Sequence, residues 1–292
     1  MMPFVAALAL RLDVAPQRIA AAPVAGGCIS EAFRVTTPTG TLFVKADRAD
    51  RLAMFEAEAL GLEELRHSGA LRIPEVVAVG GNRECAFLAL EWLDLAAGRT
   101  RAEHELGERL AIQHRVTARQ FGWHHDNWIG ATPQRNGWLA DWVEFWRTRR
   151  LGPQLDLASD HGARRDVIDR GRHLAELLPA YFTSHRPVPS LLHGDLWGGN
   201  WAVDDAGRAV LFDPAVYYGD READLAMTRL FGGFGTGFYA AYHAAWPLDA
   251  AAGYRRELYN LYHVLNHYNL FGGGYLEQAA GMVDRLLAEL GH

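Results

Sequence analysis

Residues 23–92 carry a period-two alternation of apolar and polar positions, broken once by a helical pattern. AFRVTT (32–37) and TLFVKA (41–46) are β-type runs parted by Pro38 and Gly40, which predicts a hairpin. VVAVG (76–80) and AFLALE (86–91) predict a second hairpin, joined by Gly81-Asn82. Between the hairpins, DRLAMFEAEALGLEELRH (50–67) places Met54, Phe55, Leu62 and Leu65 at three- and four-residue spacing, which predicts a helix.

Beyond Leu93 the pattern turns helical. Six segments favour helix: 101–119, 138–150, 164–182, 221–231, 237–246 and 255–268. One β insertion interrupts them, NWAVDD (200–205) and RAVLFDP (208–214), bridged by Ala206-Gly207. The organisation expected is a strand-rich N-lobe over 1–92, a crossing near 91–95, and a helical C-lobe over 93–292. No internal repeat or low-complexity segment is visible.

Composition narrows the partners. With 49% hydrophobic and 22% charged residues in 292, the chain reads as a soluble globular protein with material for a sizeable core. The net charge of −6 and the absence of a long basic run speak against nucleic acid. Local cations and backbone N–H groups can still hold a phosphate. Two cysteines, Cys28 and Cys85, rule against a disulfide framework, and no CxxC spacing exists. The apolar start, MMPFVAALALRLDVAPQ, lacks a basic n-region and is interrupted by Arg11 and Asp13. It reads as an amphipathic helix rather than a signal peptide. No run of about 18 apolar residues suggests a membrane span, so the cytoplasm is the expected location.

The candidate chemistry begins at LLHGDLWGGN (191–200), a loop by composition. Four residues separate Asp195 from Asn200, His193 precedes both, and a strand–turn–strand leads on to Asp213. That order matches the histidine, aspartate and asparagine of a kinase catalytic loop followed by a metal-binding aspartate. Phosphoryl transfer needs a base beside the attacking hydroxyl and oxygen ligands for magnesium, and this loop and hairpin offer both. Asp195 alone would be an ordinary turn residue, and His193 reads as ordering the loop by hydrogen bonding. A metallophosphoesterase is disfavoured, because GNW stands where that fold would need a histidine.

The N-lobe supplies an independent sign. Lys45 lies in an apolar run, where a cation is costly unless paired. Glu58 has Met54 and Phe55 before it, and Leu62 and Leu65 after it, on one helix face. Its carboxylate faces the same problem, so the two residues are expected to pair as the kinase strand lysine and helix glutamate do. Glu56 is the alternative partner on a wetter face, and Lys45 snorkelling to solvent is the bland alternative. Upstream, Gly26 and Gly27 permit a phosphate-binding backbone and Ser30 adds a hydroxyl, though a simple turn fits as well. Glu91 to Leu93 fall where the lobes meet, so their backbone is expected at the adenine edge.

Taken together, the chain resembles the fructosamine-3-kinase (ketosamine-3-kinase) family of the protein-kinase-like fold, close to aminoglycoside and choline kinases. The resemblance spans nearly the whole chain. It rests on GGCISEAF, FVKAD with MFEAE, residues 121–157, LLHGDLWGGN, FDPAVYYGDREADLAMTRLFGGF and NLYHVLNHYN. It implies an α+β fold with two lobes: a small antiparallel sheet with one main helix, and a larger, mostly helical lobe. It implies transfer of the ATP γ-phosphate to the 3-hydroxyl of a ketosamine, small or on a glycated protein, after which the adduct falls off. By the same resemblance Asp195 is the base, Asn200 and Asp213 hold magnesium, and Lys45 with Glu58 positions the phosphates. Trp197 would stack on substrate, Asn266 and His267 would border the sugar, and Asp224 would brace the catalytic loop from below. Cys28 would sit in the phosphate loop as a possible redox cysteine, making a monomer or a redox-linked homodimer; an inert small residue is the alternative. Another hydroxylated amine as acceptor, or a nucleotide-binding pseudokinase, are the competing functions. Segment 121–157 weighs against the first, and the intact Lys45, Asp195, Asn200 and Asp213 weigh against the second.

Overall fold

In the computed structural model, which describes residues 2–24, 30–96 and 100–292, the N-terminal strands form one antiparallel sheet. Strands β1 (Ala20–Pro23), β2 (Glu31–Thr37) and β3 (Gly40–Arg48) are followed by helix α2 (Leu52–His67), then β4 (Val76–Gly81) and β5 (Cys85–Glu91). The spatial order is β1-β2-β3-β5-β4. The second hairpin turns through residues 82–84, so Gly81 belongs to its strand rather than to the turn. Asn82 closes that turn by accepting the Glu84 amide at 2.8 Å.

Both faces of this sheet are covered, which explains why β5 is apolar at nearly every position. Helix α1 (Pro3–Leu12) packs Phe4, Val5 and Leu8 against Phe33, Val35, Val44 and Phe87. The N-terminal apolar run is thus a structural helix of the fold. Helix α2 lays Met54, Phe55, Leu62 and Leu65 on the other face, against Leu88 and Leu90. Lys45 sits between Val44 and Ala46, both of which point toward α1, so strand alternation aims it at α2.

After a short strand β6 (Leu95–Ala96) the chain is dominated by helices. These are α3 (Thr100–His114), α4 (Trp142–Phe145), α5 (Gly152–Asp160), α6 (Arg165–Leu177), α7 (Glu222–Leu230), α8 (Thr236–Ala245), α9 (Ala252–Phe271) and α10 (Tyr275–Glu289). Small hairpins and strand pairs lie among them: β7 (Asn127–Ile129) with β8 (Thr132–Gln134), β9 (Ser190–Leu192) with β12 (Tyr217–Gly219), and β10 (Trp201–Asp204) with β11 (Ala209–Leu211). Helices α3 and α8 meet closely at Gly107, where a Cβ would lie 2.3 Å from the Phe238 carbonyl. No helix among the described residues is long and apolar enough to cross a membrane.

Two helical expectations shrink. The first helix ends at His114, after which Thr117 bridges Ser190. The segment at 138–150 becomes helical only at Trp142, capped by Asp141 accepting the Glu144 amide at 2.7 Å. Trp138 therefore lies outside the helix and is 39% exposed, while Trp142 and Trp146 enter the core. The backbone then widens into a π-turn over Trp146–Leu151 before α5.

Candidate active site

Strand β9 delivers the chain into His193-Gly194-Asp195. Gly194 has φ +83°, and a Cβ there would stand 2.0 Å from the Ala215 carbonyl, so only glycine fits. Asp224, in the first turn of α7, accepts the His193 amide at 2.7 Å and the Gly194 amide at 2.9 Å. Its Oδ2 also meets His114 Nε2 at 3.1 Å. Burial works against the charge on Asp224, but His114 and the loop amides outweigh it and hold the carboxyl below its usual range. The loop is thereby pinned from beneath.

His193 ties the loop to the following hairpin. Its Nδ1 accepts the Asp195 amide at 3.3 Å, which leaves Nε2–H to donate to the Phe212 carbonyl at 3.0 Å. Burial lowers its pKa, in keeping with a neutral ring. Asn200 donates Nδ2 to the Asp195 carbonyl at 2.8 Å and to Asp195 Oδ2 at 3.1 Å. With its nitrogen spent on the loop, the planar amide turns Oδ1 the other way. Burial pushes the Asp195 carboxyl up to about 7 despite the Asn200 bond, and the charges of Asp213 and Asp224 add to the rise.

The β10–β11 hairpin returns the chain beside this loop, where the Phe212 amide donates to the Asn200 carbonyl at 3.2 Å. Asp213 follows in a left-handed conformation, φ +57°, a sparsely populated region for a residue with a side chain. Its carboxylate meets Lys45 Nζ at 2.6 Å, and Glu58 meets the same nitrogen at 2.7 Å. Burial opposes the ammonium charge, yet Asp213 and Glu58 together raise the Lys45 pKa above its ordinary value. Glu56 stays exposed on the opposite side of α2.

These groups share one cleft of about 750 Å³ between the sheet and the helical part. Lys45, Glu58, Asp195, Asn200 and Asp213 all line it. Trp197 lines it too, edge-on to Phe231 at 6.4 Å between ring centroids. Ser30 reaches the cleft while donating to Asp47 at 3.1 Å. Glu91 and Leu93 line it as well. The Glu91 side chain itself is engaged by Arg72 at 2.6 Å and by the Glu75 amide at 2.6 Å. Gly26, Gly27 and Cys28 lie outside the described residues.

Asn266 and His267, expected at the sugar, are not among the residues lining the cleft. Asn266 is buried and accepts Gln154 Nε2 at 3.3 Å. The His267 ring lies tilted against those of Phe231, at 4.7 Å, and Tyr275, at 5.2 Å, one ring removed from Trp197. Conversely, Asn127, Trp128 and Gly130 of the β7–β8 hairpin do line the cleft, and nothing in their spacing marked them. A buried amide network holds that hairpin: Gln134 donates to Asn127 Oδ1 at 2.8 Å, and Asn127 donates to the Val216 carbonyl at 2.8 Å. Asn136 bridges Asn127 to the Arg150 guanidinium, at 2.8 and 2.7 Å.

Residues 4–289 match the fructosamine kinase family. The chain belongs to the fructosamine kinase family. It is 42% identical over 269 residues to a protein named as a probable ketoamine kinase in Synechocystis sp., covering 90% of this chain and 89% of that one. It is also 42% identical over 274 residues to the chloroplastic protein-ribulosamine 3-kinase of Arabidopsis thaliana, covering 91% and 82% of the two chains. The crystal structure of a candidate fructosamine-3-kinase from Haemophilus somnus superposes with a TM-score of 0.88 at 27% identity, covering 98% and 97% of the two chains. Aminoglycoside phosphotransferase APH(4)-Ia in complex with ADP and hygromycin B superposes with a TM-score of 0.64 at 15% identity, covering 97% of each chain. That second likeness establishes the two-lobed protein-kinase-like α+β fold for this member of the fructosamine kinase family.

Proposed function

We propose that this fructosamine kinase family member transfers the γ-phosphoryl group of ATP to the 3-hydroxyl of a ketosamine, as a step in deglycation. The observation that carries the reading is the placement of Asp195 in the same cleft as the Lys45–Glu58–Asp213 triad. In this reading residues 1–92 serve the nucleotide, with Lys45, held by Glu58, as the cation for its phosphates. Residues 93–292 carry the catalytic loop and the acceptor.

Asp195 accepts the proton of the attacking hydroxyl as the new O–P bond forms and ADP departs. A carboxyl raised to about 7 is a stronger base than an ordinary aspartate and matches a working pH near neutrality. Trp197 offers an aromatic face to the sugar at the mouth of the loop. Asn200 Oδ1 and the Asp213 carboxylate form a hard oxygen donor set suited to magnesium, and the left-handed backbone of Asp213 turns that carboxylate into the cleft. A magnesium ion there would neutralise charge on the phosphates. ATP and magnesium are therefore the co-substrate and cofactor of the proposed reaction.

The test is an ADP-release screen with fructosyl- and ribulosyl-lysine, free and on a glycated protein, beside aminoglycosides and choline. Turnover on ketosamines, with a phosphate at O3 by NMR, supports the reading. Turnover on aminoglycosides or choline alone refutes it.

A further inference from the structure

Helix α2 carries Glu58, but it is not held only by the sheet. Six residues further on, Glu64 accepts a hydrogen bond from the Tyr218 hydroxyl at 2.6 Å, joining positions 154 apart in the chain. Between the two glutamates, Gly61 faces the segment that follows Asp213. A Cβ on Gly61 would lie 3.3 Å from Val216 Cγ2 and 3.6 Å from Pro214 Cγ. The helix thus lies along residues 213–218 and touches them at three places: Asp213 through Lys45 and Glu58, Pro214 and Val216 at Gly61, and Tyr218 at Glu64.

At the start of α2, Arg51 makes no side-chain capping bond, and the Leu52 amide instead donates to the Ala49 carbonyl of the tight turn before it. Tyr218 is a firm post. Its backbone exchanges two hydrogen bonds with Gly122, at 2.8 and 2.9 Å, and β12 pairs it with Leu191 of β9. Its ring lies 6.0 Å from that of Trp138. Burial and the neighbouring Glu64 push the phenol pKa up, so the hydroxyl remains a donor. Strand β9 is the one that runs into His193-Gly194-Asp195. One strand pair therefore supports the catalytic loop on one side and the helix bearing Glu58 on the other.

We infer that Tyr218, through its bond to Glu64, is a positioning residue that keeps helix α2 docked so that Glu58 stays on Lys45. The inference rests on the reading of Lys45 as the phosphate-binding cation, but not on the identity of the acceptor. Loss of the bond frees the far end of the helix, and Glu58, about 9 Å along the same rigid rod, loses its fixed approach to Lys45.

The experiment measures equilibrium binding of MgATP, with no ketosamine present, alongside thermal melting. Tyr218→Phe is expected to weaken MgATP binding about five- to tenfold, the scale of one ordinary intramolecular hydrogen bond. Glu64→Ala should reproduce that loss, and Glu64→Gln, which still accepts from the hydroxyl, should restore most of it. In a Glu58→Gln background, Tyr218→Phe should cause no further weakening, because the group it positions is gone. Full MgATP affinity in Tyr218→Phe and Glu64→Ala, or an equal loss with and without Glu58, would overturn the inference. If Tyr218→Phe fails to fold, the Glu64→Ala and Glu64→Gln pair decides alone. Turnover on the wrong acceptor would refute the ketosamine reading and leave these binding results untouched.

Discussion

Lys45 and Asp213 stand 168 positions apart in the chain, yet their charged atoms meet at 2.6 Å. No local rule joins them; the meeting depends on β3, α2 and the β10–β11 hairpin all taking their places. Two carboxylates share that one ammonium, so Lys45 is both the charge they need and the group that a phosphate would compete for.

Lys45→Met should therefore lower kcat/KM for ATP by about 10²-fold or more, the scale of losing one preorganised charge donor. Steady-state kinetics with ATP as the varied substrate checks this. An unaltered ATP dependence would mean that Lys45 serves only the ion pair.

Asp224 carries two loop amides and His114 while buried at 2% exposure. Asp224→Ala leaves these donors without an acceptor, and the expected cost is about 3–5 kcal/mol of stability. Urea unfolding of the variant beside the wild type measures it. A change below about 1 kcal/mol would show that water replaces the carboxylate without strain.

The tip of the loop over 193–200 rests on a glycine pair, Gly198 and Gly233. Gly233 has φ +95°, and a Cβ on it would lie 2.6 Å from Gly198 Cα, next to Trp197. Gly233→Ala should displace the tip and reduce kcat/KM for the acceptor by up to about 10²-fold, the effect of a misplaced contact, with ATP binding retained. Equal losses for both substrates would point to general disruption instead.

A pH effect on stability is expected away from the cleft. His185 Nε2 lies 2.7 Å from Asp220 and its Nδ1 lies 3.0 Å from Asp249. Burial opposes its charge, but Asp220 and Glu222 outweigh that and raise the imidazole pKa. A raised folded-state value means the stabilisation is complete below about 6.5, the ordinary imidazole value. It fades as the pH climbs through the raised value. The stability gap between wild type and His185→Gln should narrow over that rise; a gap that is constant or widens contradicts the assignment.

Much of this was legible because polar residues in apolar company are conspicuous. Lys45 within LFVKA and Glu58 on an apolar helix face announced their pairing through the cost of leaving either alone. The two N-terminal hairpins followed from alternation and turn residues. Strands β7, β8, β9 and β12 did not, for each is three residues long and has no room for a period to show. Trp138 matched the helical spacing of Trp142 and Trp146, but the Asp141 cap starts the helix after it. His114 and Tyr218 do their work through partners more than a hundred positions away, which no spacing along the chain reveals. Asn266 and His267 are expected at the sugar by resemblance alone; neither lines this cleft, Asn266 bonding Gln154 and His267 packing against Phe231.

The central claim is that Asp195 is the base of a phosphoryl transfer to a ketosamine, and Asp195→Asn tests it most directly. The measurement is ketosamine-dependent ADP release, run beside MgATP affinity in the same preparation. The account predicts a fall in turnover of about 10²–10⁴-fold, the contribution of a positioned base, with nucleotide binding retained. Wild-type turnover in that variant would contradict it.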